Sequence, residues 1–271
     1  MINDSRSIEV EVEVPGTPEE VWAAVATGPG IGSWFVPTTV EERAGGETVS
    51  QFGPGDSMTV LGRVRIWDPP HRVVFDGGDE GEGMAFEWLV EARDGGTCVV
   101  RLVNSGFGSG EEWDGQFDAM DAGWRMFMHN LGLHRRYFPG QVGLAVQPLG
   151  MAAVGLDEAW GTLTRALGIP AESSEGDPVA AGPDVPTALA GTVERALPRM
   201  LSLRIDEPGP GTALVAVEGN DGQAAISVWF WLYGADAGER APAVLEGWQG
   251  WLADLFAEPG THARRSRRGG R

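Results

Sequence analysis

Between Glu111 and Phe138, six large apolar residues fall on one helical face. Trp113, Phe117, Met120, Trp124, Met128 and Leu131 are spaced four, three, four, four and three apart. This period predicts one long helix with a single wide apolar stripe running over about five turns. A stripe of that size must be covered, and the cover lies just upstream in the chain. Met84, Phe86, Trp88 and Val90 alternate onto one face of one segment, and Cys98, Val100 and Leu102 onto one face of the next, with Thr97 and Arg101 opposite. Strands that are apolar on one side imply an antiparallel sheet covered on one side only. The stripe then has two readings. It is plain core, or its aromatics form the lid of a cavity above a curved sheet.

Other elements read from the same signals. Ile8, Val10, Val12 and Val14 alternate with Glu9, Glu11 and Glu13 as a half-buried strand. Thr17 suits an N-cap, Pro18 the first helical position, and Glu19 and Glu20 the positive end of a helix dipole. Gly28-Pro29-Gly30 is expected to break that helix. Strands are then expected around 38–43, 47–53, 57–67, 72–76, 84–93 and 97–104. In WDPPHRVVF (67–75), prolines that fix φ and lack an N–H end one strand sharply before another begins.

After Pro139 the pattern starts again. Glu158-Ala159-Trp160 echoes Glu20-Val21-Trp22, and Gly191, Val193 and Pro198 repeat the spacing of Gly62, Val64 and Pro69. Gly247-Trp248 with Leu255 repeats Gly123-Trp124 with Leu131. Three echoes in one order point to a second copy of the same domain. The interval from Trp160 to Gly191 is shorter than that from Trp22 to Gly62, and AESSEGDPVAAGPDVP has a flexible-loop composition, so this copy is expected to lack a strand or two. The domains implied are 1–140, a degenerate 141–258, and a disordered Arg-rich tail at 259–271.

A net charge of −19 argues against nucleic acid or an anionic membrane surface as partner. Cys98 is the only cysteine, which excludes an internal disulfide and a Cys-based zinc cluster. No signal-peptide-like start or run of eighteen apolar residues is present, so a cytoplasmic protein is expected. The four histidines are His71, His129, His134 and His262, and none has metal-site spacing; no metal and no cofactor are expected. Asp121 and Arg125 have the spacing of an exposed helix pair, and Glu87, flanked by inward Phe86 and Trp88, is expected to face solvent.

Taken in order, Pro15-Gly16-Thr17-Pro18 with Glu20 and Trp22, then Trp34, Gly45-Gly46, Gly62 and Val64, Asp68-Pro69-Pro70 with Arg72, Val74 and Phe75, Gly96-Thr97, Ser105-Gly106-Phe107 and Gly123-Trp124 resemble the START-like (SRPBCC) superfamily. Within it they resemble the domain similar to the activator of heat-shock protein 90 ATPase. The resemblance covers about residues 5–138 and is much fainter over 142–257. It implies an α+β helix-grip fold, a curved antiparallel sheet wrapped around a long C-terminal helix, in two tandem copies with the second reduced.

Three functions follow from that fold, because it hosts binders, enzymes and co-chaperones alike. The preferred one is binding of an apolar or aromatic small molecule between sheet and helix, with Phe75, Phe86, Trp88, Phe107, Trp124 and Met128 as the expected lining. The second is a co-chaperone-like protein whose partner is a chaperone or other protein, marked by an exposed apolar patch. The third is an enzyme resembling a polyketide cyclase or hydrolase. No residue is assigned a catalytic role.

Overall fold

The computed structural model describes residues 6–53, 58–77, 84–107, 111–220 and 222–257, excepting the side chains of 111–114, 116 and 220. The expected tail at 259–271 and the side chain of Trp113 lie outside the described residues. The chain divides into two compact units, Met1–Ala145 with Trp231–Ala235, and Val146–Phe230 with Asp236–Arg271.

The first unit opens with strand β1 (Arg6–Pro15), whose buried Ile8, Val10 and Val14 alternate with exposed glutamates. Helix α1 (Pro18–Ala26) begins in a capping box: the Glu20 amide donates to Thr17 Oγ1, and the Thr17 amide donates to the Glu20 carboxylate. Gly28-Pro29-Gly30 ends α1 only in the sense of redirecting it. Thr27 closes α1 and its hydroxyl caps a five-residue helix, α2 (Gly28–Gly32), so the glycines lie inside a helical turn. A β-carbon on Gly30 would fall 1.8 Å from Ala23 O, which is why that position carries none.

Six strands follow: β2 (Thr38–Val40), β3 (Glu47–Gln51), β4 (Thr59–Asp68), β5 (Arg72–Asp76), β6 (Ala85–Arg93) and β7 (Thr97–Phe107). They form an antiparallel meander, and β1 closes it beside β7, giving the order β1-β7-β6-β5-β4-β3-β2. The WDPPH turn lies where the prolines demand: β4 stops at Asp68, the His71 amide bonds Asp68 O, and β5 starts at Arg72. Helix α3 (Glu111–Tyr137) is the expected long helix and packs on β1. Its Trp124, Met128 and Leu131 join Val64, Trp88, Val100 and Leu102 in one buried core. The burial of α3 is wider than one stripe, however. Asn130 donates to Trp34 O at 2.7 Å, Phe138 stacks on Tyr233 with centroids 3.9 Å apart, and Phe127 meets Trp231 edge-on. The segment Trp231–Ala235 of this unit thus covers a second flank of the helix.

The second sheet repeats the plan. Its first strand is interrupted at Gln147-Pro148 into β8 (Leu144–Val146) and β9 (Leu149–Ala152), both pairing with the last strand. After α4 (Leu156–Leu167) come β10 (Pro178–Ala180), β11 (Ala190–Leu197), β12 (Met200–Glu207), β13 (Gly211–Asn220) and β14 (Gln223–Leu232), in the order β10-β11-β12-β13-β14-β8. Helix α5 (Ala237–Leu255) ends the unit and buries Trp248 against Phe230. The fold is a tandem helix-grip α+β arrangement, and the second copy is reduced. Among the described residues its meander has five strands against six, and its closing helix has 19 residues against 27. The stretch expected as a flexible loop nonetheless contributes β10, because Val179 is buried and pairs opposite Gly191.

Two equivalent strands, β4 and β11, share a detail. A glycine (Gly62, Gly191) sits where the next strand crosses closely: an added β-carbon would lie 2.7 Å from Asp76 O in one and 2.0 Å from Arg204 O in the other. Three residues later each strand bulges, at Arg65 and at Glu194. The bulge residue pairs with the neighbouring strand, Arg65 with Asp76 at 3.4 Å and Glu194 with Arg204 at 3.0 Å. In β4 the extra residue shifts the alternation, so that Val64 and Trp67 both reach the core, where Trp67 meets Trp22 edge-on at 5.0 Å.

Candidate functional site

A cavity of 580 Å³ opens inside the first unit, within the range of small-molecule sites. Its floor is the inner face of the sheet: Thr38 and Val40 of β2, Thr48 and Ser50 of β3, Val60 and Gly62 of β4, Phe75 of β5, and Phe86 and Trp88 of β6. Ile31 and Phe35 close one side, and Met120 and Trp124 of α3 form the roof. The glycine at position 62 keeps the floor open where Asp76 O and Thr48 Oγ1 converge.

The aromatic wall is centred on Trp124. Its ring lies 5.1 Å from Phe35 in a stacked pair, 5.6 Å from Phe86, and 5.7 Å from Trp88 in an edge-on pair. Phe52 meets Phe35 edge-on at 5.6 Å. These offset and T-shaped pairs brace one another and hold the wall in shape. The indole N–H of Trp124 is buried and meets no acceptor among the described residues.

The polar surface is gathered on β2 and β3. Thr38 Oγ1 donates to Val36 O at 2.9 Å and lies 3.2 Å from Ser50 Oγ. A hydroxyl has one proton, so Thr38 is committed and Ser50 donates to Thr38, leaving the Ser50 lone pairs as acceptors. Thr48 is buried beside them. Asp76 is the single charged residue among the described lining residues, and Arg65 pairs with it.

The mouth lies at the start of β4, where Val60 is 55% and Leu61 70% exposed although both line the cavity. The pairing of strands explains it. β5 ends at Asp76 opposite Arg63, so Thr59–Gly62 pair with β3 alone among the described residues, and the wall there is one strand narrower.

Four of the six expected lining residues, Phe75, Phe86, Trp88 and Trp124, stand in this wall. Phe107 and Met128 do not. Phe107, at the end of β7, packs edge-on against Phe117 at 5.1 Å, and Met128, a turn beyond Trp124, is 1% exposed in the closed core. The stripe therefore divides, with Met120 and Trp124 roofing the cavity and Met128 and Leu131 filling the core. Glu87 points to the outer side of the sheet and pairs with Arg72 at 2.5 Å, and Asp121 pairs with Arg125 at 2.8 Å on the exposed side of α3. No histidine is among the described lining residues. The expected lining left out Phe35, which lies outside any periodic run, Phe52, at the alternate position after Thr48 and Ser50, and the three hydroxyls, whose alternation along β2 and β3 was the available signal.

A second buried polar cluster forms around Tyr233. Its hydroxyl donates to Ser33 O at 2.6 Å and lies 3.0 Å from His134 Nδ1, which therefore carries the proton and donates. Ser33 Oγ donates to Pro29 O and accepts from the Gly143 amide. Burial, aided by the neighbouring Arg135 charge, lowers the His134 pKa to about 4. Burial raises that of Tyr233.

Two uncharacterized proteins, from two strains of Mycobacterium tuberculosis, are each 30% identical over 113 residues, covering 37% of this chain and 77% of theirs. Among solved structures, the di-domain ARO/CYC BexL from the BE-7585A biosynthetic pathway is similar over 93% of this chain and 99% of its own, with TM-score 0.44 and 16% identity. The Aha1 dimer from Colwellia psychrerythraea is similar over 50% of this chain and 99% of its own, with TM-score 0.43 and 17% identity. Residues 15–133, which hold the capped helix, strands β2 to β7 and nearly all of α3, match the family described as activator of Hsp90 ATPase homolog 1-like proteins, and the chain belongs to that family.

Proposed function

We propose that the first unit binds an apolar or aromatic small molecule between sheet and α3. The observation that carries this is the 580 Å³ cavity with its wall of Phe35, Phe75, Phe86, Trp88 and Trp124. A packed core leaves few voids larger than a water molecule, so a space of this size with braced aromatic walls and an exposed apolar lip suits a guest. Native mass spectrometry of the freshly purified protein tests it. The expected result is an added mass of a few hundred daltons that denaturation releases and that a cavity-filling Ser50→Phe variant lacks. Retention of the same mass by a folded Ser50→Phe protein would move the guest elsewhere.

A co-chaperone-like role has one observation in its favour, the exposed Val142 and Leu144 after α3, which are 65% and 41% accessible. The protein is added to a purified heat-shock protein 90 chaperone and ATP hydrolysis is measured, and an unchanged rate with no complex formed sinks this reading.

A further inference from the structure

The composition of the cavity wall restricts the charge of its guest, an inference that rests on the binding reading above. No arginine, lysine or histidine is among the described lining residues, and the one charged residue is an acid, Asp76. Ser50 presents lone pairs, because its proton goes to Thr38 and the Thr38 proton to Val36 O. Six aromatic rings, from Phe35, Phe52, Phe75, Phe86, Trp88 and Trp124, turn weakly negative faces or weakly positive edges inward and offer no counter-charge to an anion. A carboxylate entering this space would lose its hydration and gain no cation from the described lining residues, the nearby Arg65 being paired with Asp76, which makes it a poor guest.

We propose that the cavity selects ring systems that bear no negative charge and carry a hydrogen-bond donor for the Ser50 end, and that it excludes carboxylates of the same size. An aromatic alcohol satisfies both conditions. Its rings replace water against the Trp124 wall, and its O–H meets the acceptor that Ser50 leaves open.

A matched pair of probes tests this: 2-naphthol, neutral at neutral pH, and 2-naphthoate, ionised there. Binding is followed by quenching of tryptophan fluorescence and confirmed by calorimetry. The expected result is that 2-naphthol binds at least about tenfold more tightly, a gap of roughly 1.4 kcal/mol. Val60→Arg, which adds a cation at an exposed lip position, should narrow or reverse that gap. Equal binding of the two probes, or a gap that Val60→Arg leaves unchanged, overturns the charge selection while leaving the cavity a binding site. Failure of both probes to bind folded protein overturns the binding reading and this inference together.

Discussion

Trp124 has two neighbours of different kinds, a braced ring cluster and the cavity. Its ring touches Phe35, Phe86 and Trp88, while its N–H is buried without an acceptor among the described residues. These features predict different outcomes for two substitutions. Trp124→Ala removes the roof of the cavity and should cost about 3 kcal/mol or more, as large core aromatics do. Trp124→Phe keeps most ring contacts and deletes a donor whose burial is unfavourable, so it should cost less than about 1 kcal/mol. Urea unfolding of both variants checks this, and equal losses would show that the N–H is held by a partner. Trp124, Phe86 and Trp88 were legible in the sequence because helical and strand periods both singled them out. Thr38, Thr48 and Ser50 were not, since a hydroxyl at alternate strand positions has the same pattern as a solvent-facing residue. Phe107 and Met128 share the pattern of the true wall residues, and nothing in a one-dimensional period says where along a buried stripe the packing stops.

At the scale of elements, β4 shows how a strand can be both visible and misunderstood. Its end was readable from the prolines after Asp68, and the repeat of Gly62, Val64 and Pro69 in Gly191, Val193 and Pro198 was readable as an echo. The cause of the echo was hidden, because it lies in the neighbouring strand: β5 crosses Gly62, and β12 crosses Gly191, too closely for a side chain. The bulge three residues later was hidden as well. It breaks the period of two, so Trp67 counts as outward by alternation and yet packs inward on Trp22. Gly62→Ala should therefore destabilise by about 1–3 kcal/mol through overpacking against the Asp76 backbone. It should also shrink the floor of the cavity. Thermal unfolding measures the first effect, and probe binding at a temperature where the variant is folded measures the second.

At the scale of the whole molecule, the order of the two helix-grip copies was readable, because three short echoes recur in the same sequence. The completion of the first unit by Trp231–Ala235 was not, since no local pattern links Tyr233 to residues 99 and 200 positions earlier, His134 and Ser33. That completion has a pH signature. The unfolded chain protonates His134 near its ordinary pKa of 6.5, whereas in the folded protein burial delays protonation to about pH 4. The unfolded state then binds more protons across this window, so the stability from His134 is whole above the upper value and declines as pH falls toward the lower one. The decline should amount to roughly 3 kcal/mol at most. Comparing unfolding midpoints of the protein and a His134→Gln variant over that window should show a flatter profile for the variant, the other titrating groups being common to both.

The bulge pairs on β4 and β11 have opposite polarity: a cation on the bulge and an anion across from it in the first sheet, the reverse in the second. Two look-alike sheets on one chain risk trading strands during folding. If β4 were to settle beside β12, Arg65 would face Arg204. If β11 were to settle beside β5, Glu194 would face Asp76. Every crossed arrangement sets like charges together, while each correct one sets opposites, a bias of up to about 1 kcal/mol per pair. The double variant Arg65→Glu with Asp76→Arg keeps an ion pair in the first sheet and erases the difference between sheets. It should match the parent in equilibrium stability and fall behind it in refolding yield, so that the sign of a modest surface pair serves as an address label for each strand.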